Sequence, residues 1–457
     1  MSKKTLYILL GILITIPALA QKWINTGIPI SLAQVRMVTS DTINNKMYVG
    51  GFIPFDTNGN IAICIYDGVS WVVKDTIDNI VRSMVIYNNE LYMGGDFVAI
   101  NSQSMEHLIK WNVTNWINIG ASGGNVLNLR VINNDLYAVG TFTQVAGINS
   151  NSIAKWNGTS WSSVNFPASY FLGNNSFVGD CAIYNGELYA GGNFHISTGQ
   201  TDIAVLKNGT WQRVGNSDSL KGAFSSINKL EVFHNELYIG GYILHSEGNV
   251  GNGIQRWDGV NWKTVGTGLQ DYNNTTNSGT SVLDMMQYKN KLYVAGGFSF
   301  AGNSIAPNLA TWDGTKWCAI DTLIDKPITA FGIFQDTIYV GTNDIFEGNF
   351  INSFGKFTVG NYSYTEECSS DFDVSINELL IENQISIYPN PTTSFLNIID
   401  KDNQLQNATI QIKNYLGQIV LTSPFTSQIN LSNLSVGMYF LSIQDKSKSK
   451  TVKIIKE

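Results

Sequence analysis

Charged residues make up only 14% of this 457-residue chain, against roughly 25% in an ordinary soluble protein. Asn, Gly, Ser and Thr take the surface role instead, as suits a chain with many turns. The charge that exists is acidic over most of the length. Residues 21–384 hold 19 Lys and Arg against 31 Asp and Glu, a net of −12. A sparse, acidic body excludes nucleic acid as a partner, because phosphate-backbone binding needs clustered Lys and Arg.

Histidine is scarcer still, with only His107, His195, His234 and His245. There is no H-E-x-x-H, so the zinc-protease signature is absent. His234 sits in a hairpin turn and reads as solvent-exposed. His195 and His245 follow the same glycine-rich phrase in successive repeats, but no third metal ligand accompanies them. Asp56 to Asn60, "DTNGN", is half of a calcium loop without the downstream acid and reads as a plain loop. No catalytic residue, metal site or cofactor is expected.

Four cysteines allow three pairings. Cys64 and Cys181 lie in strand-like apolar runs and read as buried thiols, while Cys318 and Cys368 lie nearer element ends and are favoured as a bridge. Long apolar runs are missing except at the start. There Lys3 and Lys4 precede Leu6 to Ile16, and Ala18-Leu19-Ala20 offers a cleavage site before Gln21. Residues 1–20 therefore read as a signal peptide. The run falls short of the roughly 20 residues of a membrane span, and no later segment is long and apolar enough to span.

What the chain has in abundance is repetition. "LYMGGDF" at 91 has counterparts at 47, 136, 188, 237, 292 and 338, spaced by 44, 45, 52, 49, 55 and 46 residues. A second phrase, "IAKWNGTSWSSV" at 153, has near-copies at 63, 108, 205, 254 and 309. Seven units of this period predict a seven-bladed β-propeller with four short strands per blade. In each unit an alternating run such as "VLNLRVINN" turns into the Leu-Tyr strand. A variable loop follows, then a strand, an Asn-Gly or Asp-Gly turn and a last strand.

All 11 tryptophans fall at two places in the repeat. Trp111, Trp156, Trp257 and Trp312 precede the turn. Trp23, Trp71, Trp116, Trp161, Trp211, Trp262 and Trp317 follow it or match that place. Residues flanking the turn face one another, so Trp156 and Trp161 are expected to stack as a cross-strand pair. Trp23 has no inner strands before it, and the seventh unit lacks a tryptophan-led strand after it. The N-terminal strand is thus expected to complete the last blade and close the ring, leaving no open edge.

The order of alternating strand, Leu-Tyr-x-Gly-Gly, aromatic-Asp/Asn-Gly and Trp resembles kelch and galactose-oxidase-like propellers over residues 21–360. Residues 361–384 lack the repeat and read as a linker. Residues 385–457 carry 7 Lys and Arg against 4 Asp and Glu, so the net charge turns to +3. Their alternating strands, a Pro-Asn-Pro turn and turn glycines predict a small Ig-like β-sandwich. The phrases here resemble the type A sorting domain of the type IX secretion system of Bacteroidetes. The resemblance rests on Tyr388, Pro389, Asn390, Pro391, Gly417, Leu434, Gly437, Tyr439 and the tail lysine Lys453. It implies export through the inner membrane, engagement of the type IX secretion machinery, and a product on the outer cell surface or released from it.

Together these features predict an exported propeller that binds a protein or glycan partner. The loops between second and third strands vary most in length and are expected to form the binding face. Two other readings are an extracellular carbohydrate-active enzyme on a propeller scaffold, and a structural or adhesion module of the cell surface.

Overall fold

The computed structural model describes residues 23–28, 34–57, 59–171, 176–196, 199–200, 202–215, 226–244, 249–271, 280–320, 324–343, 353–357, 367–368, 385–400, 408–414, 419–445 and 448–457. The expected signal peptide, residues 1–20, lies outside them, as do His245 and Gly417. The described residues are all-β, with a single 3-10 turn at Ala168–Tyr170. Contacts divide the chain into two compact units, Met1–Asp373 and Val374–Glu457.

In the first unit the described residues form seven sheets with a four-stranded antiparallel core. Their opening strands are Gln34–Asp41, Val81–Tyr87, Val126–Ile132, Phe177–Tyr184, Ser226–Phe233, Ser281–Tyr288 and Ile328–Phe334. Each opening strand packs against that of the next sheet, and Ile328–Phe334 returns to lie against Gln34–Asp41. The seventh sheet takes its outer strand from the other end of the chain, with Trp23–Asn25 pairing Phe354–Phe357.

Local chemistry explains this regularity. The hairpins after the opening strands turn on Asn88-Asn89, Asn133-Asn134, His234-Asn235, Lys289-Asn290 and Gln335-Asp336, all at φ between 45° and 65°. Two successive left-handed residues define the tight hairpin turn whose twist matches the strands. The tips also bond around the cycle. Tyr87 Oη donates to Asn134 O (3.0 Å), Tyr184 Oη donates to Asn235 O (3.2 Å), and Gln335 Nε2 donates to Asn45 Oδ1 (3.0 Å).

The Gly-Gly phrase answers to close packing. A Cβ on Gly94 would lie 2.5 Å from Val126 Cγ1, and one on Gly191 would lie 2.6 Å from Ile227 Cγ2, both on the following sheet. A Cβ on Gly95 or Gly192 would collide with the Ile80 or Phe177 carbonyl. Opposite these glycines every opening strand carries a register shift, after Val35, Val81, Val126, Val178, Ile227, Val282 and Ile328. All seven of those side chains are fully buried. The bulge re-aims the residue that follows.

The tryptophans meet across their turns. Trp156 pairs with Trp161 in register, with ring centroids 5.6 Å apart. Trp111–Trp116, Trp257–Trp262 and Trp312–Trp317 repeat the contact at 5.3, 5.1 and 5.3 Å. Four of the downstream indoles also reach the preceding sheet or the chain just after it. Trp71 Nε1 donates to Thr26 O (2.9 Å), Trp116 Nε1 to Asp75 Oδ2 (2.8 Å), Trp211 Nε1 to Val164 O (3.0 Å) and Trp317 Nε1 to Val265 O (2.8 Å). The tryptophan therefore staples sheet to sheet, in addition to clasping its own hairpin.

In the turn between these tryptophans an acid or amide closes the loop on itself. Asp258 Oδ1 accepts from the Val260 and Asn261 N–H groups at 2.7 and 2.6 Å. Those bonds and Lys263 hold its carboxyl down at about 2. Gly68, Gly158, Gly259 and Gly314 follow the acid or amide at φ of 95–103°. The second sheet has Val113 at that place, with φ +81° and an exposed side chain. A β-branched residue is strained there. Val113→Gly is expected to raise stability by about 1–2 kcal/mol, read as a higher urea midpoint at unchanged slope. An unchanged or lower midpoint would show that the valine is not strained.

Within the expected linker 361–384, Glu367–Cys368 adds an edge strand to the sixth sheet. Cys368 is disulfide-bonded to Cys318, whereas Cys64 and Cys181 are buried free thiols. The second unit has two antiparallel sheets. One holds Ile385–Tyr388, Phe395–Asp400 and Gln428–Asn430; the other holds Ile419–Pro424, Thr409–Asn414, Gly437–Asp445 and Lys448–Lys456. They share one core around Leu396, Ile410, Ile429, Leu441 and Ile454.

Candidate functional site

The opening strands carry a set of polar residues at places where alternation predicts apolar ones. Ser83, Asn128, Asp180, Lys229 and Asp284 occupy the second position after the pre-bulge Val or Ile in five sheets. They reach across to neighbouring strands. Ser83 Oγ accepts from Leu129 N–H (3.0 Å), Asp180 Oδ2 from Leu230 N–H (2.9 Å), and Asp284 Oδ2 from Phe331 N–H (3.2 Å). Asn128 connects Ser83 to Asp180, accepting from the one and donating to the other, each at 3.0 Å.

Charges complete the network. Arg130 Nη2 lies 2.8 Å from Glu231 Oε2, and its Nε lies 3.5 Å from Asp180 Oδ1. Burial works against the Arg130 cation, yet Asp180 and Glu231 together carry its pKa above the ordinary value. Lys229 pairs with Asp284 at 3.2 Å, and its ammonium is likewise held up against burial by Asp284. Every carboxylate oxygen of Asp180 is engaged by a backbone N–H, an amide or a cation. The network braces the strands to one another.

Two adjoining cavities run along these strands. One, of about 540 Å³, is lined by residues such as Arg36, Ser40, Arg82, Arg130, Glu231 and Asp284. The other, of about 390 Å³, is lined by the bulge residues Arg36, Arg82, Leu127, Gly179, Asn228, Leu283 and Thr329 among others. The bulges pair opposite the ends of the Leu-Tyr strands, as Val35 does with Gly51 and Val81 with Gly95. This cavity therefore opens at the end of the sheets where the second strands run into their loops.

Those loops are built as small hairpins. Ala99–Ile100 with Gln103–Ser104, Gln144–Val145 with Ile148–Asn149, and Phe300–Ala301 with Ser304–Ile305 pair among themselves. Each is also tied to the chain leaving the previous sheet, through Ile77–Ile100, Ala121–Val145 and Leu269–Ala301. Val98, Ile148 and Ile305 are exposed on or beside them.

The candidate histidines are dispersed. His107 Nδ1 lies 3.3 Å from Gly95 O, and His195 sits in a two-residue strand. The exposed His234 stacks on Phe233 and meets Asn290 Oδ1 at 3.0 Å. Asp56 accepts from the Asn60 backbone and side chain, closing its own loop. Among the described residues no group of three His, Cys, Asp or Glu could hold a metal ion.

In the second unit the two ends of the expected motif meet. Tyr388, Pro389, Asn390 and Pro391 are exposed, and Asn390 Oδ1 accepts from Ile455 N–H at 2.9 Å. Thr392 and the tail exchange two backbone hydrogen bonds, Thr392 N–H to Ile455 O and Glu457 N–H to Thr392 O. Leu434 packs on the core, and buried Tyr439 donates from Oη to Ser435 O at 2.9 Å. Gly437 opens the strand that pairs with the tail, and Lys453 lies opposite Phe440.

Residues 386–457 match the family model of the secretion system C-terminal sorting domain. That match places the protein's delivery with type IX secretion, to the cell surface or the extracellular space. No helix among the described residues is long and apolar enough to cross a membrane. No curated protein matches the chain. Among solved structures, the extracellular domain of a hybrid two-component system of B. thetaiotaomicron aligns at 11% identity and a TM-score of 0.47. The alignment covers 93% of this chain and 56% of that one. Saccharomyces cerevisiae Sqt1 aligns at 7% identity and a TM-score of 0.40, over 95% of this chain and 98% of that one. Both likenesses are too distant to carry an argument about this protein.

The polar network does not stand out from motif or repeat in the sequence. Its signal was present: in a chain with 14% charge, Arg82, Arg130, Asp180, Lys229, Glu231 and Asp284 all fall inside apolar opening strands.

Proposed function

We propose that residues 21–360 form a seven-bladed, kelch-like β-propeller that binds a protein or glycan partner outside the cell. Residues 361–384 connect it to an Ig-like sorting sandwich at 385–457. The succession of seven four-stranded sheets, the return of the last opening strand to the first, and the N-terminal strand at the outer edge of the seventh sheet all favour the ring. Tyr388, Pro389, Asn390, Pro391, Gly417, Leu434, Gly437, Tyr439 and Lys453 would form the sorting element, and the seven downstream tryptophans would be structural.

The observation that carries the binding reading is the ordered rim of hairpins displaying Val98, Ile148 and Ile305. Loops held on a rigid scaffold are where binding residues concentrate, and these three each display an exposed apolar side chain. The test is a glycan array together with a pull-down against purified surface proteins, using the full chain. A triple change of Val98, Ile148 and Ile305 to Asp should abolish capture and leave the melting curve unaltered. Equal capture by the triple variant would overturn the reading.

A further inference from the structure

We propose that the cavity between Arg36 and Arg82 binds an oxyanion, a carboxylate or sulfate group, entering from the loop end of the sheets. Both arginines stand at bulges, directly after Val35 and Val81, so each is the re-aimed residue of its strand. Both line the two cavities. The bulge cavity, at about 390 Å³, lies within the roughly 300–1,000 Å³ range of small-ligand sites.

The charges along these cavities are unevenly paired. Four cations line these cavities: Arg36, Arg82, Arg130 and Lys229. Arg82 makes two bonds of 2.6 Å to the Asp96 carboxylate. Arg130 has Asp180 and Glu231, and Lys229 has Asp284. Arg36 forms no ion pair among the described residues. Its Nη2 donates to Gln34 Oε1 at 3.3 Å, and its Nε is buried without a hydrogen-bond partner. A guanidinium offers a planar fork matched to carboxylate and related oxyanions, and a buried polar atom without a partner is costly.

Electrostatics agrees with the geometry. Burial and the neighbouring Arg82 charge pull the Arg36 guanidinium below its ordinary value, with Asp96 opposing them. Four carboxylates match the four cations overall, but two of them serve Arg130, so Arg36 and Arg82 share Asp96 alone and their corner of the half-buried space is short of one negative charge. A monoanion between them would supply it and occupy the idle Nε donor.

The proposal rests on the open end of this cavity belonging to the binding face, but its test is separate from partner capture. The full chain is titrated calorimetrically, at low chloride, with acetate, sulfate, D-glucuronate and glucose. Saturable binding of acetate or sulfate would identify a site for free small anions. Binding of D-glucuronate alone would identify a site for an acidic sugar; either outcome supports the proposal. Arg36→Gln should weaken binding at least tenfold, and Arg36→Lys, which keeps the charge but loses the fork, at least threefold. The lysine variant keeps the test decisive if the glutamine variant misfolds. Glucose binding as well as glucuronate, no saturable anion binding, or unchanged affinity in the folded variants would overturn it. Partner capture with no anion binding defeats this proposal alone, and the converse result defeats the partner reading alone.

Discussion

Asp180→Ala will destabilise the protein by about 3–5 kcal/mol, the range for removing one partner of a buried ion pair. Asp180 is fully buried. Its Oδ1 accepts from Cys181 N–H at 2.8 Å and Asn128 Nδ2 at 3.0 Å, and faces Arg130 Nε at 3.5 Å. Its Oδ2 accepts from Leu230 N–H on the next sheet at 2.9 Å. Alanine would orphan two backbone donors and an amide, and would leave Arg130 with Glu231 as its one carboxylate beside the Leu230 carbonyl. Each stranded donor costs about 1–3 kcal/mol. Asn at the same place keeps one acceptor, and its loss should be smaller. Urea unfolding followed by tryptophan fluorescence measures both. A loss below about 1 kcal/mol for alanine would mean that water replaces the carboxylate, and that the network does not brace the sheets.

Removing residues 374–457 will abolish appearance of the protein outside the cell and leave the first unit folded. The family match over residues 386–457 supplies the first half of this expectation. The second half rests on the sheets of the first unit being complete by Cys368. That residue is covalently tied to Cys318 and pairs beside it at the edge of the sixth sheet. A truncation placed earlier, within 361–367, would take away the disulfide and the edge strand, confounding export with stability. Removing a native disulfide alone costs about 2–5 kcal/mol. Cell fractionation paired with a melting curve separates the outcomes. Normal surface display of the truncated chain would refute the sorting role. A melting curve without a cooperative transition would show that the first unit depends on the second.

Much of this was readable in one dimension, and the reasons are local. The Asn-Asn, Asn-Gly and Asp-Gly turns announce themselves because few other residues adopt positive φ. Strand alternation follows from the period of two. The seven-fold spacing of Leu-Tyr and tryptophan phrases set the count and order of the sheets, and the C-terminal phrases marked the sorting segment.

The polar network was not readable in this way. Arg130 and Glu231 are 101 positions apart, and Asn128 and Asp180 are 52 apart. Each looks like an ordinary interruption in its own strand. Only the packing of opening strand against opening strand decides that these interruptions face one another. The same holds for the glycine pair: the sequence by itself determined that the phrase recurs, while the tertiary structure decided that Val126 and Ile227 leave no space for a Cβ on Gly94 and Gly191. Tryptophan follows the same division. Its pairing across a hairpin is a matter of local register, whereas the bond from Trp317 Nε1 to Val265 O spans 52 residues. Interactions within a hairpin are encoded by neighbours in the chain. Those between sheets exist only once the sheets are brought together, and Arg36 with its unpartnered Nε belongs to that second kind.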